Sequence, residues 1–290
     1  MVNGFLVIDK PVGISSHDVV NRVRRALGTK KVGHTGTLDP FATGVLPIAV
    51  GEGTKAIQFL DEGEKQYEAT ICLGLSTDTL DHTGTTLATA DPSGVGIEQL
   101  LQSMQTLTGE IKQIPPMYSA LKQGGQPLYK LARKGIEVER PSRQVTIYRF
   151  ELISFENPLA RVMVRCSRGT YVRTLADDLG RLLGCGACLT ELRRTISGPF
   201  NLSSALTLDQ LADYCSLGVP ELVTPLAALD HLPCLVLSGQ DLQHVKCGRL
   251  PQGLLSESYH GLVCLVHAGQ LVAVAEQAAD QIISLKRVFN

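Results

Sequence analysis

The chain contains no tryptophan, and tyrosine and phenylalanine supply only seven residues each of its 290. Surfaces on which an unpaired base could stack are therefore few, and each tyrosine at an element boundary is worth following. No apolar run is long enough to span a bilayer, which excludes a membrane-crossing helix. The first ten residues, Met1 to Lys10, lack the basic start and long apolar stretch of a secretory signal, so a cytoplasmic location is expected. The eight cysteines are scattered, and only Cys185 and Cys188 stand at C-x-x-C spacing. Reduced thiols fit this better than a disulfide framework. His244 and Cys247 could complete a zinc set, but a second C-x-x-C is missing and the local glycines suit a turn. An excess of one charge is also missing: the formal net charge is −1 and the pI about 6.7. That balance neither points to nor excludes a polyanion, because local clustering decides. There are no internal repeats and no low-complexity segments.

At 44% hydrophobic and 19% charged residues, the chain can bury a sizeable core, in one large domain or a large and a small one. Phe5 to Ile8 reads as a buried strand. Ser15 or Ser16 can cap the helix carrying Val19, Val20, Val23, Ala26 and Leu27, which Gly28 ends. Val45 to Val50 reads as a strand and Thr54 to Leu60 as a short helix. In the strand from Lys65, Tyr67, Ala69, Ile71 and Leu73 share a face. Helices are expected over Ile97 to Leu107 and Leu208 to Cys215. A hairpin is expected from Val145 to Cys166, and a strand over Leu189 to Ile196. Leu175, Ala176, Leu179, Leu182 and Leu183 form a helical stripe. Gly109 to Arg143, rich in Pro, Gly and Lys, reads as an inserted, exposed lobe. The tail from Leu226, with short apolar runs between glycines, reads as a small all-β module. The fold class is α+β, with mixed sheets.

The densest stretch is Gly33-His34-Thr35-Gly36-Thr37-Leu38-Asp39-Pro40-Phe41-Ala42-Thr43-Gly44. Few of these residues suit a core. Its glycines permit sharp turns or close approach to a ligand. Pro40 pushes Asp39 towards an extended conformation, so Asp39 is read as a carboxylate held stiffly on a loop. An ordinary turn in which Asp39 caps its own backbone is the plainer alternative. Arg173 stands in the first turn of its helix, where the macrodipole disfavours a cation. Asp177, four residues on, has a better partner in Arg181, which frees Arg173 to reach Asp39 and hold it ionised. Tyr67, Tyr171, Tyr118 and Tyr129 are candidates for stacking, and His34 for a phosphate or base contact. Basic clusters occur at Arg22–Lys31, Lys122–Lys134, Arg161–Arg173 and Arg193-Arg194. Each lies near a glycine-bearing loop, which favours a phosphate-binding surface.

Four segments occur in order: Lys10-Pro-Val-Gly-Ile-Ser-Ser16, Gly33-His-Thr-Gly-Thr-Leu-Asp-Pro40, Ile114-Pro-Pro-Met-Tyr-Ser-Ala-Leu-Lys122 and Arg168-Gly-Thr-Tyr-Val-Arg-Thr174. Together they resemble the bacterial tRNA pseudouridine synthase B family over roughly the first 200 residues. The resemblance implies an isomerase that flips the uridine of the tRNA TΨC loop (position 55) out of its stack and converts it to pseudouridine. It implies a pseudouridine synthase catalytic domain over residues 1–225, with an RNA-binding lobe at about 109–143, and a PUA-type, β-barrel-like RNA-binding module over 226–290. It makes Asp39 the nucleophile and Arg173 its partner. Tyr67 packs on the target base, Tyr171 lies near the base edge, and His34 enters the vacated stack. Leu192 lines the uracil pocket and Lys10 supports the site. The reaction is redox-neutral, so no cofactor or metal is required. The expected partner is the T-arm of tRNA, without guide RNA, protein partner or membrane, and the protein is expected to be a monomer. Two rival readings are a non-catalytic RNA-binding protein and an N-glycosidase. The second is weakened because the glycine stretch has no second carboxylate.

Overall fold

The computed structural model describes residues 2–61, 63–218, 221–250, 260–277 and 283–289. The chain runs through β1 (Gly4–Lys10), α1 (Ser16–Ala26), β2 (Val32–His34), β3 (Thr43–Val50), α2 (Gly53–Ala56), β4 (Glu64–Leu73), β5 (Leu75–Thr77) and β6 (Thr86–Thr89). It continues through α3 (Ile97–Thr106), β7 (Gly109–Gln113), β8 (Lys122–Gln123), β9 (Gln126–Pro127), α4 (Leu128–Ala132), β10 (Arg143–Glu156), β11 (Leu159–Ser167) and α5 (Val172–Leu183). It ends with β12 (Ala187–Ser197), β13 (Phe200–Asn201), α6 (Leu208–Leu217), β14 (Cys234–Val236), α7 (Gly239–Lys246), β15 (Gly261–His267), β16 (Gln270–Gln277) and β17 (Ile283–Val288). The architecture is α+β. A nine-stranded mixed sheet has the main order β1-β3-β12-β4-β11-β10-β7, and β14 to β17 form a second, four-stranded sheet.

The continuous apolar runs of β1 and β3 follow from burial on both faces. Leu6, Ile8, Leu46, Ile48 and Val50 enter the main core with α1 and α5. Phe5, Val7, Val45 and Ala49 point the other way, into a cluster with Cys264, Val266, Val274 and Phe289 of the C-terminal sheet. Strand β4 buries Tyr67, Ala69, Ile71 and Leu73 on one face, while Glu68 on the other is exposed. Helix α1 starts at a reciprocal capping box between Ser15 and Asp18.

The centre of the large sheet fixes where the glycine loop ends. Gly44 pairs with Lys10 of β1 on one side and Arg194 of β12 on the other, and Arg194 in turn pairs with Tyr67 of β4. A row Lys10, Gly44, Arg194, Tyr67 thus crosses four strands. Gly44 has φ +100°, and a Cβ there would lie 2.2 Å from the Arg194 carbonyl oxygen. Gly44→Ala is therefore expected to cost roughly 2–4 kcal/mol. Urea unfolding should show a lower midpoint, and an unchanged midpoint would contradict the packing.

Three expectations need correction. The lobe does not begin at Gly109: Gly109–Gln113 pairs with Arg143–Ile147 as the edge strand of the large sheet, so the excursion starts after Gln113. Leu182 is 49% exposed and belongs to the outer face of α5, although Leu175, Ala176, Leu179 and Leu183 are buried. The tail is not all-β, because α7 interrupts it, capped by the Ser238 side chain, which accepts from the Asp241 N–H. Among the described residues, no helix is long and apolar enough to cross a membrane.

Candidate active site

Asp39 lies on the loop between β2 and β3, and two buried cations hold that loop by its carbonyls. Lys10, fully buried, donates from Nζ to the carbonyls of Pro11 (2.9 Å), Pro40 (3.3 Å) and Ala42 (2.7 Å). Arg194, 1% exposed, donates to Val45 (2.7 Å), Gly36 (3.1 Å) and Thr37 (3.5 Å). Ser16 adds a reciprocal pair with the Leu38 backbone at 2.8 and 3.0 Å. Charge-assisted bonds to carbonyls on both sides of Asp39 fix its backbone more firmly than packing on glycines could. Burial lowers Lys10 to about 8, and the nearby Asp39 charge partly opposes that.

Arg173, at the start of α5, forms a forked pair with Asp39: Nε to Oδ2 at 2.9 Å and Nη2 to Oδ1 at 3.3 Å. The same guanidinium donates to the carbonyls of Thr79 (2.8 Å) and Tyr118 (2.7 Å), and lies 3.5 Å from Asp81. Asp177 pairs with Arg181 at 2.8 Å, so the expected division of partners on α5 is the one observed. Arg173 is 4% exposed at its side chain, whereas Asp39 keeps 32% exposure towards the cleft. The cation is the anchored member and the carboxylate the accessible one.

Tyr67, Tyr171, Leu192, Asp39 and Arg173 line one cavity of about 310 Å³. Tyr67 is buried, which pushes its hydroxyl up to about 12 and keeps it neutral, beside Arg194. It is the fourth residue of β4. Tyr171 is the N-cap residue of α5, half-buried, and burial raises its hydroxyl against the pull of Arg173 and Arg143. His34 lies elsewhere. It ends β2, in a second cavity that shares Asp39 and Arg173 with the first but not Tyr67 or Leu192. Its Nδ1 is buried without a partner, and burial lowers its pKa, which favours the neutral ring. Lys10 lies beneath the loop and lines neither cavity.

Sequence reasoning placed Arg194 only in a basic cluster and assigned no site role to Asp81, Thr79 or Ser119. Asp81 is 3% exposed and accepts from Thr79 Oγ1 (2.9 Å), Thr83 N (3.0 Å) and Thr83 Oγ1 (2.5 Å). The signal was present in the run Asp78-Thr79-Leu80-Asp81, whose Leu80 takes a left-handed φ of 62°. Cys188 is buried in β12 opposite Cys72 of β4. Among the described residues no group of three or more His, Cys, Asp and Glu side chains is placed to hold a metal.

Loss of water around Asp39 raises its carboxyl above the ordinary 3.8; Arg173 opposes this, and Asp81 adds to it. Protonation therefore neutralises Asp39 at a higher pH than it would a free carboxyl. Chemistry that needs ionised Asp39 loses rate as the pH falls through that raised value. The acid limb of a single-turnover rate profile is expected above pH 3.8, with circular dichroism confirming a folded protein. A limb at or below 3.8 would contradict this environment.

A family model described as "TruB family pseudouridylate synthase (N terminal domain)" matches residues 24–172, and one described as "tRNA pseudouridylate synthase B C-terminal domain" matches residues 173–227. A protein of Geobacter sulfurreducens named tRNA pseudouridine synthase B is 48% identical, with all of both chains covered. One of the same name from Pseudomonas aeruginosa is 44% identical, covering all of this chain and 96% of that one. Among solved structures, a chain of a Cbf5-Nop10-Gar1 complex superposes with a TM-score of 0.74 at 28% identity, over 99% of this chain and 84% of that one. A chain of an H/ACA RNP bound to a substrate RNA containing 2'-deoxyuridine gives 0.72 at 26% identity, over 99% and 85%.

Proposed function

The chain belongs to the TruB family of pseudouridylate synthases, and on that premise we propose that it isomerises the uridine of the tRNA TΨC loop, position 55, with Asp39 as nucleophile. The observation that carries the reading is the forked Arg173–Asp39 pair, its carboxylate still open to a cavity walled by Tyr67, Tyr171 and Leu192. A detached uracil needs a place that holds it flat, keeps water out and leaves it free to turn. Tyr67 and Leu192 supply such walls, and the carboxylate stands at the cavity's edge.

In the proposed reaction the N1–C1′ bond of uridine breaks and a C5–C1′ bond forms. N1 gains a proton and C5 loses one, so atoms balance and nothing is oxidised or reduced. Asp39 acts as the nucleophile while the base is detached, and Arg173 keeps it ionised and oriented. Extruding the uridine costs a few kcal/mol. Stacking on Tyr67 offsets that by roughly 1–3 kcal/mol. His34, neutral and lining the adjoining cavity, fills the gap left in the RNA. Tyr171 is assigned to the base edge and the C5 proton. Residues 226–290 are proposed as a PUA-type RNA-binding module behind a catalytic domain of 1–225, and the lobe after Gln113 as a further RNA contact. The protein is proposed to act on tRNA alone, without guide RNA or protein partner, as a monomer in the cytoplasm.

Carbodiimide labelling of a treated tRNA transcript, followed by primer extension, tests the position. A single new stop at the TΨC-loop uridine is expected. A stop elsewhere, with none in that loop, would overturn the substrate assignment.

A further inference from the structure

Beside the uracil cavity lies a second recess, about 370 Å³ in volume, lined by Lys65, Arg143, Gln144, Val145, Arg168 and Gly169. It shares Lys65 and Gly169 with the uracil cavity, so the two adjoin. Its three cations come from three different segments. Lys65 sits in β4 with Nζ 3.2 Å from where a Cβ of Gly36 would stand, so it reaches to the glycine loop. Arg143 opens β10, next to the edge strand β7. Arg168 lies in the turn from β11 to α5, its N–H bonded to the Gly63 carbonyl at 3.1 Å. Gly169 follows at φ +84° with open space where a Cβ would be, so the chain turns there without walling off the recess.

Neighbouring charges are arranged differently. Arg165 is neutralised by Glu64, and Arg149 lies 3.5 Å from Glu151. Among the described residues no carboxylate pairs with Arg143 or Arg168. Both are exposed at the recess, and Arg143 is close enough to act on the Tyr171 hydroxyl. Exposed arginines that converge on a hollow without a carboxylate between them favour an anion. Guanidinium forks match phosphate oxygens in geometry as well as charge.

We propose that Lys65, Arg143 and Arg168 form a phosphodiester subsite that grips the RNA backbone immediately beside the uridine held over Asp39. This rests on the reading of the chain as an RNA uridine isomerase. Strand continuity selects the ligand: a nucleotide whose base fills the uracil cavity brings its backbone within reach of the recess that adjoins that cavity at Lys65 and Gly169. The grip holds the extruded nucleotide without reading its sequence.

The test is a double-mutant cycle between protein and RNA. The protein variant is Arg143→Gln with Arg168→Gln. The RNA is a T-arm hairpin with methylphosphonates at the two linkages flanking the target uridine. Each change alone is expected to weaken binding roughly 10–100-fold, in line with the loss of charge-assisted phosphate contacts. Together they should weaken it no more than either alone, because both remove the same contact. Arg149→Gln, on the same strand, is the control, and its effect should multiply with that of the methylphosphonates. If the losses of the double variant and the modified RNA multiply in full while the wild type still isomerises the unmodified hairpin, the subsite is wrong and the functional reading stands. If the wild type makes no pseudouridine in any tRNA, the functional reading fails and the subsite with it.

Discussion

Asp39→Asn is expected to bind the tRNA transcript within about threefold of the wild type and to lose at least about 10⁴-fold in single-turnover rate. The two readouts separate because the site separates them. Asparagine keeps the size of the side chain and an oxygen facing Arg173, whose other bonds to Thr79, Tyr118 and Asp81 remain. The loop stays pinned by Lys10 and Arg194, which hold main-chain carbonyls and not the Asp39 side chain. What is lost is the anionic oxygen proposed to meet the substrate. Filter binding and rapid-quench assays on the same transcript check the two halves. Parallel loss of affinity and rate would mean that Asp39 is a structural residue of the loop. Retained turnover would remove it from the chemistry.

Arg173→Ala should lower the single-turnover rate about 10³-fold and destabilise the fold by roughly 3–5 kcal/mol, since it strips the cation from buried Asp81 and from Asp39. Desolvation would then act on Asp39 without its main opposing charge, so its pKa rises further. Arg173→Lys supplies one compact ammonium where a planar fork serves two carboxylates and two carbonyls. It should recover part of the stability, and its acid limb should lie above that of the wild type. A purely structural arginine would leave that limb where it was. An unchanged limb in Arg173→Lys, with the rate reduced, would remove Arg173 from the control of Asp39.

The residues proposed to bear the chemistry were legible in the sequence because each broke a local rule. Asp39 stands before a proline among glycines, and Arg173 is a cation at the wrong end of a helix dipole. Their pairing could be anticipated because Arg181 left Arg173 without a partner on its own helix. The other half of Arg173's environment was not legible. Thr79 and Asp81 come from the turn before β6, and Tyr118 from the lobe; periodicity says nothing about which loops meet. The place of Arg194, read only as part of a basic cluster, was hidden for another reason: it sits within a strand whose register alone sets it between Gly44 and Tyr67. Leu182 fitted a helical stripe by count, but it falls at the stripe's margin and faces outwards. Helix α7 was missed although Ser238 and Asp241 form a capping signal, because the surrounding glycines and short apolar runs dominated the reading of the tail. β7 was read into the lobe because Gly109-Glu-Ile-Lys-Gln113 has only one strong strand former, and its pairing to β10 is a long-range fact.

The most direct test of the account uses a tRNA transcript carrying tritium at uracil C5, incubated with the purified wild-type protein. One equivalent of tritium per tRNA should reach the solvent, with the chain intact and no free uracil, because C5 exchanges its proton for C1′ while the base stays in the RNA. Release of free uracil would make the protein a base-removing enzyme. Retention of all tritium on bound tRNA would make it an RNA-binding protein, and either result would contradict the isomerase.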